Sequence, residues 1–453
     1  MRLSKMMIMI PFLFSGAGLL VSQERTVLSL KQSIDLALKQ NRTLSASREK
    51  LEEARARVGE ARTGFLPKLT GSANYTRLDV APFMPGDVFS EGFPSIPGMP
   101  PMDLPKRITI GRNEIVGIGV QLQQPLFSGF RIVNGFRMAK EGLNASEAEL
   151  MKESNDLILQ VEEAYWSVVK AQKFVEVAQE ATKQVEGHVT DLENMYDVGM
   201  ITKNDLLKAR VQLSNTKLMA IQAENGVQLS KKALCNLLGI PLDSELQLVE
   251  ELGYDPVAGV TLEEANLQAL NERPEMRLFR ASEAISKRAV DIVSGGYLPT
   301  VAVVADYAYQ KPDRRYDPKF YTTWSFSVVA SLTLFDWGEN HYKKAQAQRQ
   351  LAQIREQFES VKNGIQLEVT QAVLKLKEAE ERIRVAQENV KQAEENYKVT
   401  EDLFHQGMAT NTDFLDANTL LTQAKTDYIS ALADYKLAIA QLQKATGIIG
   451  KGE

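Results

Sequence analysis

Residues 196–207 read YDVGMITKNDLL, and residues 404–415 read FHQGMATNTDFL. The chain on both sides of each stretch has the composition of helix, and a single glycine is almost the only loop former between. Gly199 matches Gly407, Met200 matches Met408, Thr202 matches Thr410, Asp205 matches Asp413 and Leu207 matches Leu415, at a constant offset of 208 residues. One tight turn therefore occurs twice, each time at the tip of a long helical hairpin. Glycine there supplies the positive φ that ends a helix. Thr202 and Thr410 stand three residues before an aspartate, the spacing of an N-cap with an acid over the first turn of the returning helix.

The repeat extends outward from the turns. Residues 28–66 resemble residues 260–298 at an offset of 232, with Leu38 on Leu270 and Gly64 on Gly296, and Pro67 then falls on Pro299. From Phe127, which matches Phe335, to Gly239, which matches Gly447, the offset is 208. The first copy is thus 24 residues longer, and the excess falls in residues 81–105, where seven prolines forbid regular helix and central strand. The chain is a duplication: a first repeat over 24–240, a linker over 241–260 and a second repeat over 261–448. Each repeat reads helix, strand, strand, very long helix, tight turn, helix.

The long helices are expected over about 128–198 and 336–406, roughly 100 Å each at the rise of an α-helix. Val161, Ala164, Val168, Ala171, Val175, Ala178, Thr182, Val185, Val189, Leu192 and Tyr196 recur three and four apart, and so do Val369, Ala372, Leu376, Ala379, Ile383, Ala386, Val390, Ala393, Tyr397, Thr400 and Phe404. This is a sustained heptad with small residues at alternate core positions, which lets helices approach closely. Taken alone it describes a coiled-coil rod.

The strands say otherwise. Leu69, Gly71, Ala73 and Tyr75 alternate with Thr70, Ser72, Asn74 and Thr76; Val116, Ile118, Val120 and Leu122 alternate with Gly117, Gly119, Gln121 and Gln123. The second copy sets Val301, Val303, Ala305, Tyr307 and Tyr309 against Asp306 and Gln310. Its partner strand sets Trp324, Phe326, Val328, Ala330, Leu332 and Leu334 against Ser325, Ser327, Ser331 and Thr333. Strands of about ten residues with one apolar face and one small or polar face suit an outer-membrane barrel with a wet interior. Four strands cannot close a barrel, and an open edge in lipid leaves backbone groups unpaired. The chain must therefore oligomerise, and a trimer gives twelve strands.

Composition narrows the surroundings. MRLSKMMIMIPFLFSGAGLLVSQ, residues 1–23, has basic Arg2 and Lys5 and then a short apolar run, the pattern of a secretory signal peptide; a membrane anchor would need a longer run. Losing its two positive charges takes the net charge from −5 to −7, which argues against a nucleic-acid partner. Cys235 is the single cysteine, so a disulfide-stapled fold is excluded. His188, His341 and His405 lack metal or triad spacing, so no catalytic residue, metal site or cofactor is expected. Met84, Met99 and Met102 in the proline-rich loop are read as apolar contacts rather than copper ligands.

With these residues in register twice, the chain resembles the TolC-like outer-membrane efflux proteins. The duplicated order, the FLP and YLP entries to the strands, the LFSGF and LFDWG exits and the two G-x-x-T-x-x-D turns carry the resemblance over essentially the whole mature chain. It implies a mainly α fold with a membrane β-barrel part: a homotrimer with a twelve-stranded barrel in outer-membrane lipid and an α-helical barrel crossing the periplasm of a Gram-negative bacterium. It implies partners too, a periplasmic adaptor and an inner-membrane transporter, whether for efflux or for type I secretion. The alternative is a secreted coiled-coil scaffold or adhesin.

The resemblance also assigns roles at the tips. Gly199, Thr202, Asp205, Gly407 and Thr410 become the tip turns and adaptor contacts. Asp413 and Asp416 map onto the aspartate rings that narrow the family's periplasmic mouth, where crowding of like charges should raise their pKa values. The bland reading of the same pair is one capping acid and one solvated acid. The first copy has Lys208 where the second has Asp416. A tyrosine and an arginine that hold the mouth shut in the family's best-known member are here Phe404 and Ala409. Tyr196 keeps a hydroxyl in the first copy, and Tyr196 with Asp205 is the candidate lock.

Overall fold

The computed structural model describes residues 26–86, 105–257, 259–312 and 318–450. The expected signal peptide and most of the proline-rich segment, Met99 and Met102 included, lie outside these residues. The first copy runs β1 (Thr26–Leu28), α1 (Leu30–Gln40), α2 (Arg42–Thr63), β2 (Lys68–Arg77), β3 (Phe83–Pro85), β4 (Arg107–Thr109), β5 (Glu114–Ser128), α3 (Arg131–Asp197) and α4 (Lys203–Leu238). After β6 (Leu246–Leu248) the second copy follows with α5 (Leu262–Glu272), α6 (Pro274–Ser294), β7 (Thr300–Lys311), β8 (Tyr321–Ser331), α7 (Glu339–His405) and α8 (Asn411–Thr446).

The opening helix of each copy, expected as one, is two. Asn41 adopts an extended conformation, and its side chain accepts the Leu44 N–H to start a new helix. In the second copy Arg273 is extended in front of Pro274, whose ring excludes the helical conformation from the residue before it. The linker is more ordered than its composition suggests. Its β6 pairs in parallel with β1, and Tyr165 ties the junction by donating to the Leu28 carbonyl and to the Glu250 carboxylate.

β2, β5, β7 and β8 form one antiparallel sheet in that order. The register sorts the side chains by face. One face carries the rungs Leu69–Leu122–Ala305–Phe326, Gly71–Val120–Tyr307–Trp324 and Ala73–Ile118–Tyr309–Thr322; the other carries Thr70–Gln121–Asp306–Ser325 and Ser72–Gly119–Ala308–Thr323. On the polar face Gln121 Nε2 donates to Asp306 Oδ1 at 2.8 Å. Among the described residues nothing covers the apolar face: Trp324, Leu69 and Phe326 are all exposed. β2 and β8 are edge strands with no partner among the described residues. β3 and β4 make a separate short hairpin at the base of the proline-rich loop, with Met84 opposite Ile108.

Both strand-to-helix corners use two consecutive left-handed residues, Gly129 and Phe130 in the first copy and Trp337 and Gly338 in the second. A non-glycine residue held there costs on the order of 1–2 kcal/mol, so the corner's shape must be over-determined by its surroundings. It is: a Cβ on Gly129 would lie 2.3 Å from the Gly295 carbonyl oxygen. This corner is why each long helix starts three residues later than the sequence suggests.

α3 and α7 are each 67 residues long, and α4 and α8 each 36. Each long helix turns back on its partner to form a hairpin whose interior is the expected heptad. Val161, Val168, Ala178, Val185, Val189 and Leu192 are buried in one, and Val369, Ala372, Leu376, Ala379, Ile383 and Ala386 in the other. With alanine at so many of these positions each residue buries little area, and close helix approach with its many dispersion contacts supplies the rest. No helix among the described residues is long and apolar enough to cross a membrane.

Candidate functional site

The two tips are built alike. Gly199 and Gly407 adopt φ of +80° and +72°, and nothing lies within 4 Å of where a side chain would begin at either, so conformation alone demands glycine. The amide of Met200 then donates to the Met195 carbonyl and that of Met408 to the Leu403 carbonyl, a six-to-one closure that satisfies the last turn. Thr202 Oγ1 accepts the Asp205 N–H at 3.3 Å, and Thr410 Oγ1 accepts the Asp413 N–H at 3.2 Å. At the second tip the Asp413 carboxylate also accepts the Thr410 N–H at 2.8 Å, which completes a reciprocal capping box.

Asp413 and Asp416 are both exposed near the start of α8. Within one chain the hydrogen bonds from the Thr410 hydroxyl and backbone hold the Asp413 carboxyl below the usual aspartate range. Crowding across a trimer would act in the opposite direction. Asp413 therefore caps its helix, and its exposure leaves it able to face a pore as well.

The candidate lock residues are not joined. Tyr196 is 39% exposed, no hydrogen bond among the described residues links it to Asp205, and the Asp205 carboxylate instead accepts the Thr202 hydroxyl at 2.6 Å. Phe404, the residue at the matched position, is 7% exposed and packs among Val185, Val189, Leu192, Leu206 and Ala209 of the first hairpin. Where the lost tyrosine could have bonded, an apolar anchor crosses between hairpins.

The polar links between the hairpins are ones that sequence reading missed. Asn411 Nδ2 donates to the Asp205 carbonyl at 3.0 Å, and Asn411 Oδ1 lies 2.8 Å from His188 Nε2. The His188 ring stacks on Phe414 at 3.8 Å between centroids and meets Phe404 edge-on at 4.7 Å. Further from the tip, Asn418 Nδ2 donates to Gln184 Oε1 at 2.7 Å, and Lys425 Nζ pairs with the Glu180 carboxylate at 2.9 Å and with Glu394 at 3.6 Å. Asn411, Asn418 and Lys425 are spaced seven apart. That period was readable, but nothing in the sequence says that this face of α8 meets α3.

This architecture can be placed among known proteins. The outer membrane efflux protein family matches residues 33–240 and 267–448. The chain belongs to that family. Among relatives, the alkaline protease secretion protein AprF of Pseudomonas aeruginosa is 23% identical over 334 residues, spanning 72% of this chain and 65% of AprF. The outer membrane efflux protein BepC of Brucella suis is 21% identical over 360 residues, spanning 80% of this chain and 72% of BepC. The Campylobacter jejuni CmeC outer membrane channel superposes with a TM-score of 0.75 at 20% identity, covering 94% of this chain and 87% of CmeC. Family membership sets the class, an outer-membrane efflux protein, and removes the reading as a secreted scaffold or adhesin.

Proposed function

We propose that three copies of this chain close into a continuous duct, and that it is the outer-membrane exit of a system whose pump lies in the inner membrane. The observation that carries this is the four-stranded sheet with a bare apolar face, a polar face and two unpaired edges. Such edges are tolerable in lipid only if each meets the edge of another copy, and three sheets then make a twelve-stranded barrel.

The helical part supports the same closure. Leu207, Val211, Leu218 and Ile221 form an exposed stripe on α4 at heptad spacing, and Leu367, Leu374, Val385 and Val399 form another on α7. Neither has a partner in its own hairpin; the stripe of one copy suits that of the next. Aromatic residues mark both ends of the membrane span, with Tyr75, Tyr307, Tyr309 and Trp324 at one and Phe65, Phe335 and Trp337 at the other.

In this reading the chain loses residues 1–23 on export and keeps repeats 24–240 and 261–448 joined by 241–260. The tips hang in the periplasm. Gly199, Thr202, Asp205, Gly407 and Thr410 present them to a periplasmic adaptor, and three copies of Asp413 and Asp416 ring the mouth. Stacked carboxylates in a narrow opening favour cations. AprF is named for protein secretion and BepC for efflux; a shared exit of this kind fits either cargo.

The test joins native mass spectrometry in mild detergent to recordings in planar bilayers. A trimer that conducts with cation preference is expected, and Asp413→Asn with Asp416→Asn should remove much of that preference while the trimer persists. A folded monomer in detergent would overturn the barrel. Unchanged selectivity in the double variant would reduce the two acids to helix capping and solvation.

A further inference from the structure

We infer that the seam between α3 and α8 is the latch that holds the mouth closed, and that its tip rung, His188 with Asn411 and the Asp205 carbonyl, releases in acid. The inference rests on the proposed reading of the tips as a channel mouth.

The first argument is where polarity sits. Inside each hairpin the heptad core is apolar, as a permanent contact should be. Between the hairpins, three successive heptad positions of α8 carry Asn411, Asn418 and Lys425, bonded to His188, Gln184 and Glu180 of α3. The next position at that spacing, Leu432, belongs to an apolar core cluster instead. Along this line of heptad positions the polar rungs lie in the half nearest the mouth; at the far end of the seam, off that line, Lys444 of α8 pairs with Asp156 of α3 at 2.6 Å. Hydrogen bonds exchange with water at small net cost, so such a seam parts far more readily than an apolar one.

The second argument is that the seam is imperfectly satisfied. Asn418 is 1% exposed, and its Oδ1 has no hydrogen-bond partner among the described residues. A buried acceptor left unpaired favours the state in which water reaches it. The closed seam carries a built-in bias toward opening.

His188 makes the bias depend on pH. Asn411 Nδ2 is committed to the Asp205 carbonyl, so its Oδ1 faces the imidazole and Nε2 must be the protonated nitrogen of the neutral ring. A second proton has to enter at Nδ1, which no hydrogen bond among the described residues reaches. The ring is 3% exposed, between Phe414 and Phe404. A cation on an aromatic face recovers part of its lost hydration, but not the whole.

The charged groups around the ring do not reverse this. Burial holds the pKa below its ordinary 6.5; it outweighs the Asn411 hydrogen bond and the charges of Asp191 on α3 and Glu401 on α7, which favour the imidazolium, and His405 on α7 adds to the lowering. α4 contributes apolar Leu206 and Ala209 to the neighbouring cluster, and the Asp205 carboxylate is occupied by Thr202. On α8 the Asp413 carboxylate is occupied by Thr410. A closed-state pKa lowered from 6.5 means that the closed seam loses stability relative to the open, solvated one as pH falls below 6.5. The loss grows until the closed-state pKa is passed. Acid on the side of the tips would loosen the mouth.

The purified wild-type trimer in planar bilayers provides the test, with open probability recorded at pH 7.5 and 5.5. A rise in open probability in acid is expected, since a closed-state pKa below the open-state value makes each proton taken up favour the open state at all three sites. His188→Gln keeps a donor toward Asn411 without a titrating group and should abolish the rise. Asn411→Asp, which sets a carboxylate against the imidazolium, should abolish it too and carries the test if His188→Gln fails to assemble. A wild-type channel with no rise, or a rise undiminished in these variants, overturns the latch. Cation preference at pH 7.5 separates the two ideas: its presence without a pH response sinks the latch alone, and absence of any conductance sinks the channel reading with it.

Discussion

Gly199 and Gly407 close their helices with the same left-handed turn, and Thr202 and Thr410 open the returning helices with the same cap. Around these matched frames the side chains diverge. The first tip shows Tyr196 and Val198 to solvent; the second buries Phe404, Asn411, Phe414 and Asn418 against the first hairpin. Lys208 stands where the second copy has Asp416, and Arg210, paired with Glu193, where it has Asn418. Duplication supplied the scaffold twice, and only one copy became a docking face for the other. The difference identifies the second hairpin as the element that the first one holds.

The sharpest way to break this comparison is at the aromatic pair. Phe404→Ala removes a buried ring that crosses the seam and should cost about 3–5 kcal/mol locally, whereas Tyr196→Ala, at the matched exposed position, should stay within about 0.5 kcal/mol. Native-state hydrogen exchange of the tip amides reads both. Equal protection loss in the two variants would mean that the tips are energetically equivalent and the seam inert.

The shared interiors should behave in the opposite way. Ala178 and Ala386 occupy the same heptad position in the two hairpins and are both buried. Ala178→Leu and Ala386→Leu should each overpack by about 1–3 kcal/mol, with similar drops in the thermal midpoint of the trimer. A large effect in one and none in the other would show that the two coiled coils are not packed alike.

The smallest effect is at the caps. Thr202→Ala and Thr410→Ala should each cost about 1 kcal/mol, with the second larger because Thr410 and Asp413 cap reciprocally. Fraying of the first turns of α4 and α8, followed by exchange at Leu206 and Phe414, measures the gap. The reciprocal cap also adds a pH term with a defined sign. The Asp413 carboxyl is held below its usual range, so its contribution is present at neutral pH and fades as pH falls through the lowered value.

Much of this molecule is local and periodic, and so was determined by the sequence. The 208-residue offset, the heptads of α3 and α7, the glycine turns, the threonine caps and the two-faced strands each depend on residues near one another in the chain. Heptad and alternation periods even assign faces, which is why the alanine cores and the apolar side of the sheet were legible beforehand. The break at Asn41 was not, because asparagine is tolerated in a helix and its role as a cap appears only once its side chain meets Leu44. Nor was the pairing of β6 with β1, two three-residue segments brought together by the packing of the helices around them. The seam depended most on tertiary structure. His188 is 223 residues from Asn411 and Gln184 is 234 from Asn418. A polar residue at a heptad position reads as a solvated face until a second helix covers it, since burial depends on which helices meet and leaves no period in either strand of sequence.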